Sequence, residues 1–360
     1  MSSRCHDAKY YFHDGNITIL VSDTLFKVHR QFLARDASAF ENMFSLNLDR
    51  ARQATSSGSM PFQQDGNNDE NPIRMEGDTP DEFRALLWSL YALPHEIAGA
   101  TSFHGDPVKL SNVARMSHKY HFASTETWAL VALLVVIDLQ SRAPVPLSTD
   151  VLVKATEAAV LCENTPLLDA LRVRWRKLIE NLQDLGTAIS VTERLGLKDL
   201  CGLAYYMAVS HKGRESWISE LGLNREQRIR LLSGHHNLSQ QCDSLPTDPP
   251  DILHHDDCDD PDICDEDWGV LWMAMLAYGQ PCFLGMPMES QPQLVNKIDI
   301  LGRLDRAIGI LTALLEGTFP EISIYDFANH EDCWKPALVA TQSLHERVQG
   351  DLMAFFEDGI

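Results

Sequence analysis

The side chains best suited to chemistry in this chain gather at one point. His254, His255, Cys258 and Cys264 fall within eleven residues. Imidazole nitrogen and thiolate sulfur are the donors zinc takes, and four of them close a tetrahedron. Ten of the twenty residues from Asp248 to Asp267 are acidic, so outer carboxylates to orient a ligating histidine are at hand. The spacing H-H-x2-C-x5-C nevertheless matches none of the common zinc signatures. Cys242, Cys282 or Cys333 would have to join the set after folding. The competing expectation is a solvated acidic loop in which dense like charge resists compaction and the cysteines pack locally near Trp268. On that expectation there is no metal and no cofactor, and His254, His255, Cys258 and Cys264 stand as the only candidate ligands. A calcium loop is not expected, because Asp257, Asp259 and Asp262 lack the central glycine and the distal glutamate that such a loop needs.

The search for enzyme motifs is otherwise empty. The chain has no G-x-G-x-x-G, no G-x-x-x-x-G-K-[ST], no G-x-S-x-G and no H-E-x-x-H, so no catalytic residue is assigned. Ser233-Gly234-His235-His236 sets a serine near histidines, at an expected helix end and with no supporting pattern. Arg172, Arg174, Arg176 and Lys177 surround Trp175. Arg172 and Arg176 share a helix face at i, i+4 but Arg174 points elsewhere, which fits a solvated helix with Trp175 in the core better than a nucleic-acid surface.

Charge points the same way. Across 360 residues, 51 Asp and Glu against 30 Lys and Arg give a net charge of −21. That field repels phosphate backbones and anionic membrane surfaces. The longest apolar run, Ala129 to Ile137, is short of the roughly 20 residues a membrane span takes, so it is expected as a buried helix. The first residues are polar, without a hydrophobic signal segment. No two of the eight cysteines have CxxC spacing. Reduced thiols in an intracellular setting, cytoplasmic or nuclear, are the expectation.

The elements that must position these groups divide the chain. Residues 16–21 are β-branched and apolar, Ser22-Asp23-Thr24 supply turn residues, and Leu25-Phe26-Lys27-Val28-His29 alternates, which together predict a hairpin. Short helical patterns follow at 30–34 and 37–44. Residues 47–72 lose periodicity and form an expected loop, after which Ile73-Arg74-Met75 is a candidate return strand. Thr79-Pro80-Asp81-Glu82 is a capping box with proline at the first helical position. Phe83, Leu86, Leu87, Leu90 and Tyr91 then make one apolar stripe on a helix. Leu110, Val113, Ala114, Ser117 and His121 share a face on the next helix, and a strongly apolar one follows from Ser124. Ala143-Pro144-Val145-Pro146 reads as a domain boundary. Beyond it the pattern is helical, with helices expected over 149–162, 166–183, 187–195, 198–210, 225–233, 267–279, 291–316 and 336–357. The acidic loop is placed at 237–266.

The order of elements in the first part resembles the BTB/POZ fold. Phe26-Lys27-Val28-His29-Arg30-Gln31-Phe32-Leu33-Ala34 is similar to that family's F-x-V-H-x-x-x-L-A signature. Ser38 to Phe44 is similar to its S-x-x-F-x-x-M-F helix, with one residue fewer between the serine and the phenylalanine, and Phe83 to Tyr91 is similar to its F-x-x-L-L-x-x-x-Y helix. The resemblance covers residues 10–140 and implies an α+β BTB/POZ domain, a small sheet covered by helices, with an insertion at 47–72. A mainly α-helical region over 145–360, similar to the helical part of fungal BTB-domain proteins, would follow. The resemblance further implies work by protein binding and not by catalysis: self-association, or recruitment of partners to a cullin-type ubiquitin ligase scaffold or to chromatin. His29, between strand and helix in the signature, is expected to satisfy backbone groups at a tight junction. Only about ten residues precede the first expected strand, so the exchange of an added N-terminal strand known in some BTB dimers is not expected.

Overall fold

The hairpin forms where the β-branched residues predict it. In the computed structural model, β2 (Ile17–Val21) and β3 (Thr24–Val28) pair antiparallel, with Ile17 opposite Val28 and Val21 opposite Thr24. The connecting Ser22 takes φ 55, the left-handed conformation that matches a two-residue turn to the twist of its strands. Residues 4–45, 66–142, 147–212, 217, 220–254, 258, 260–276, 297–316 and 331–357 are described by the structure. Most of the expected 47–72 loop and the 143–146 segment lie outside them.

β4 (Ile73–Met75) returns parallel to β2, and β1 (Cys5–Tyr11) adds to the other side of the hairpin, parallel to β3, giving the order β1-β3-β2-β4. β1 differs from the sequence expectation of a polar, strandless N-terminus. Its alternation is broken by Asp7, whose Oδ1 accepts from the amides of Lys9 (3.0 Å) and Tyr10 (2.8 Å). The register with β3 shifts between His6 and Tyr11, as at a bulge. Asp7 is buried and receives Arg84 Nε at 2.6 Å.

Helices cover this sheet. α1 (Arg30–Leu33) and α2 (39–45) follow β3. α3 (Pro80–Tyr91) starts on the predicted capping box: Glu82 N–H donates to Thr79 Oγ1 at 3.3 Å, and Thr79 N–H donates to Glu82 Oε2 at 2.9 Å. Its stripe residues Phe83, Leu86 and Leu87 are fully buried, Phe83 edge-on to Phe26 with ring centroids 4.9 Å apart. After α4 (Pro94–Ala100), α5 (Pro107–Lys119) buries Leu110, Val113, Ala114 and Ser117. It stops short of His121, which takes φ 61. α6 (Ala123–Ser141) packs against α5 through Ala129, Leu130, Leu133, Val136 and Ile137. It meets the length and composition of a membrane-spanning helix, and 33% of that stretch is buried against the rest of the protein. The expectation of burial all round is not met, because Val131 (57% exposed) and Val135 (38%) face outward. α7 (Thr149–Leu161) also packs on α5, with Arg115 reaching Glu157 at 3.3 Å.

The chain divides into two compact units, Met1–Arg174 and Trp175–Ile360, at a point inside α8 (Thr165–Glu180). Leu171 and Trp175 on that helix are fully buried while Arg176 and Lys177 are exposed. In the second unit, α9 (Leu185–Arg194) and α10 (Lys198–His211) pack together, and α10 receives the one-turn helix Leu352–Phe355, beside which Phe356 stacks on Tyr205 with centroids 5.2 Å apart. α11 spans Arg225–Ser244, well past the 233 expected. Gly234 does not end it, because Phe356 fills the space its Cβ would occupy, two ring carbons lying 2.1 Å from that position. α12 (Pro261–Leu276), α13 (Ile300–Leu315) and α14 (Glu331–Gly350) complete the unit, α13 packing on both of the others. The loop expected over 237–266 is therefore shorter, α11 taking its start and α12 its end.

Candidate functional site

Two junctions hold the side chains singled out above. In the first unit, His29 leaves β3 and enters α1. Its backbone N–H donates to the Tyr91 hydroxyl at 2.9 Å, its Nδ1 lies 2.9 Å from the same oxygen, and its Nε2 is 3.3 Å from Asp14. His29 thus ties the strand end to the last residue of α3, but its ring meets side chains and not the backbone groups expected, capping no amide of α1. The hydrogen bond from His29 lowers the pKa of Asp14.

The second junction assembles the cysteines. The chain leaving α11 is pinned to α12 by two indoles: Trp272 Nε1 donates to the Leu245 carbonyl at 2.7 Å and Trp268 Nε1 to that of Pro250 at 2.9 Å. Held this way, the segment carries His254 and Cys258 over the start of α12. That helix begins as its residue types direct. Asp260 Oδ1 accepts from Ile263 N–H at 3.2 Å, Pro261 occupies the first position, and Cys264 follows in the first turn. Cys333 arrives from the first turn of α14, 79 residues after His254. One ligand atom from each of His254, Cys258, Cys264 and Cys333 lies within 4.8 Å of the other three. His254 Nδ1 is 3.9 Å from both Cys258 Sγ and Cys333 Sγ. Its Nε2 is 3.1 Å from Asp265 Oδ1. Nε2–H donates to this carboxylate, which leaves the Nδ1 lone pair facing the sulfurs.

Cys264 and Cys333 are buried, and Trp268, Leu271, Trp334 and Ala337 form an apolar wall beside them. Burial, with Cys333 and Cys258 adjacent, pushes the Cys264 thiol up to about 12. Desolvation and the same Cys333 raise Cys258. The hydrogen bond with Cys333, and then the Asp265 charge, raise His254. Crowded thiols hold their protons unless a cation joins them.

Of the four candidate ligands read from the sequence, the structure brings three together. His255 lies outside the described residues, as does Cys282. Cys333 is the member that local spacing could not supply, and the expectation that no metal is called for has to be weighed against this set. Cys242 is buried elsewhere, its carbonyl accepting from Arg303 at 2.9 Å. A smaller group, His118, Glu126 and Cys162, meets in the first unit. There His118 Nδ1 is already 3.0 Å from Glu126 Oε1, the Cys162 thiol is pushed up to about 12 chiefly by burial, and Sγ donates to the Ala114 carbonyl at 3.9 Å. Ser233, His235 and His236 sit inside α11, not at its end. Comparison of the chain with protein-family models, with curated proteins and with solved structures gave no match.

Proposed function

We propose that this chain is a protein-interaction module, an adaptor or scaffold that acts by binding and not by catalysis, through a BTB/POZ-type first unit. The observation that carries the reading is where the motif residues sit. Phe26, Val28, Leu33, Phe40, Phe44, Phe83, Leu86 and Leu87, most of the apolar positions of the three BTB-like motifs, are buried, while Ala34, Met43 and Tyr91 are half-buried. They lie on β3, α1, α2 and α3, in the order the resemblance implies. The histidine of the signature joins two of these elements. A core so used supports the reading that the motifs encode this arrangement of elements and do not match by chance.

A second feature favours binding. α6 is apolar beyond what its packed face uses, and Val131 and Val135, one turn apart, stand exposed beside the half-buried Trp128. Two neighbouring exposed valines are a small apolar surface, one that a partner could cover. Affinity purification of the full chain, with Val131→Asp/Val135→Asp as a parallel bait, tests the reading. Partners recovered by the parent and lost by the variant support it. Identical recoveries from both baits, or none from either, count against it.

A further inference from the structure

We propose that His254, Cys258, Cys264 and Cys333 bind one zinc ion in a closed tetrahedral site that fastens the acidic segment before α12 to the first turn of α14. The proposal stands apart from the BTB reading, since every residue in it belongs to the second unit.

Geometry is the first ground. Around zinc with Zn–S about 2.3 Å and Zn–N about 2.0–2.1 Å, tetrahedral angles put sulfur and nitrogen ~3.6 Å apart and two sulfurs ~3.8 Å apart. The two measured Nδ1···Sγ separations are 3.9 Å, and all four ligand atoms fall within 4.8 Å of one another. Closing the site takes a contraction of a few tenths of an ångström in those two nitrogen–sulfur pairs and of at most about 1 Å in any other pair. A two-iron or four-iron cluster would spread its ligands over several metal atoms. These four converge on one point.

Donor chemistry is the second ground. Three thiolates and one imidazole are a soft set that suits zinc and not calcium or magnesium. The Asp265 carboxylate on Nε2 is the outer partner that metal-bound histidines ordinarily have. It fixes the tautomer with Nδ1 toward the sulfurs.

Binding needs no oxidant or reductant. Zn²⁺ accepts one electron pair from each of three sulfurs and one nitrogen, and three thiol protons leave to solvent. The site then carries one net negative charge. With four protein donors no position remains for water or substrate, so the role is structural. It joins segments 79 residues apart, a long loop for which a cross-link restricts the unfolded chain strongly.

The test uses the full chain expressed with zinc present and purified under reducing conditions without chelator. Elemental analysis is expected to find about one zinc per chain, and cobalt in its place is expected to give the visible bands and sulfur-to-metal charge transfer of a tetrahedral thiolate site. Cys333→Ser and His254→Ala should each lose the cobalt charge-transfer signature or weaken zinc retention. Because those variants could misfold, Asp265→Asn is the second arm. It leaves all four ligands in place and should lower zinc affinity about 10–100-fold in competition with a chelating dye. Cys242→Ser, outside the cluster, should keep zinc at the parent level. The proposal is overturned if the parent holds less than about 0.1 zinc and gives no tetrahedral cobalt spectrum. It is equally overturned if intact mass shows the cluster's cysteines joined as a disulfide in the native chain, or if Asp265→Asn and Cys242→Ser bind zinc alike.

Discussion

Leu87→Ala probes the placement of α3 against the sheet. Leu87 is fully buried, on the stripe that the sequence pattern assigned to the core. The substitution removes three carbons. At about 0.8 kcal/mol per buried methylene the transfer loss is roughly 2.4 kcal/mol. A residual cavity of some tens of Å³, at about 24 cal/mol per Å³, adds about 1 kcal/mol, for a total near 3–4 kcal/mol. Thr79→Ala, at the other end of the same helix, is the internal control. It removes the oxygen that accepts from Glu82 N–H but leaves the Glu82 carboxylate on the residue 79 amide, so its cost is about 1 kcal/mol. Urea unfolding followed by far-ultraviolet dichroism, with hydrogen exchange to assign the transition to the first unit, measures both. Equal costs, or a cost below about 1 kcal/mol for Leu87→Ala, would refute the placement of this helix on the core.

Three further outcomes follow. Asp7→Asn should destabilise the first unit at neutral pH by about 1–3 kcal/mol, leaving Arg84 and the bulge amides poorly matched. Burial raises the Asp7 pKa, but Arg84 and the amides of Tyr10 and Lys9 outweigh it and the net shift is downward. The stability it gives is therefore present above the unfolded carboxyl value, about 3.9, and lost as pH falls below it. Melting temperatures of parent and variant should converge in that range, and a gap that is constant with pH would contradict the assignment. Gly234→Ala places a Cβ against the Phe356 ring and should cost about 1–3 kcal/mol. Gly269→Ala, with nothing within 4 Å of its Cβ position in α12, should stabilise by up to about 1 kcal/mol. Thermal melts of the two variants that move in the same direction would count against the packing of α11.

What could be seen in the sequence was what local residues determine. The α3 capping box, the Ser22 turn and the buried stripe of α5 each depend on side chains within a few positions, and each forms. β1 was hidden because Asp7 folds its own backbone into a bulge and breaks the alternation that would mark a strand, its acceptance as an edge depending on Arg84, 77 residues away. α11 was cut short at Gly234 because glycine disfavours helix locally, and only the distant Phe356 ring makes it the residue that fits. The same limit left the cysteine cluster incomplete in the sequence, where His254, Cys258 and Cys264 stand out but nothing local selects Cys333 over Cys242 or Cys282. Three of its ligands lie in one acidic stretch whose charge density reads as loop, and the fourth comes from another helix, so no spacing rule could assemble the set. The exposed stripe on α6 was missed for the opposite reason. Its apolar composition predicts burial on every side, while its neighbours cover only one.

Association with protein partners, the function proposed for this chain, is read by sedimentation velocity of the full chain. The monomer is 40.5 kDa. Runs from about 1 to 200 μM, alone and with a purified cullin N-terminal region, span the affinities at which specific interfaces form. The expected result is a mass that rises toward twice the monomer with concentration, or a co-sedimenting complex, with Val131→Asp/Val135→Asp reducing either one while the melting temperature holds. A strict 40.5 kDa species at every concentration, with no complex, would contradict it.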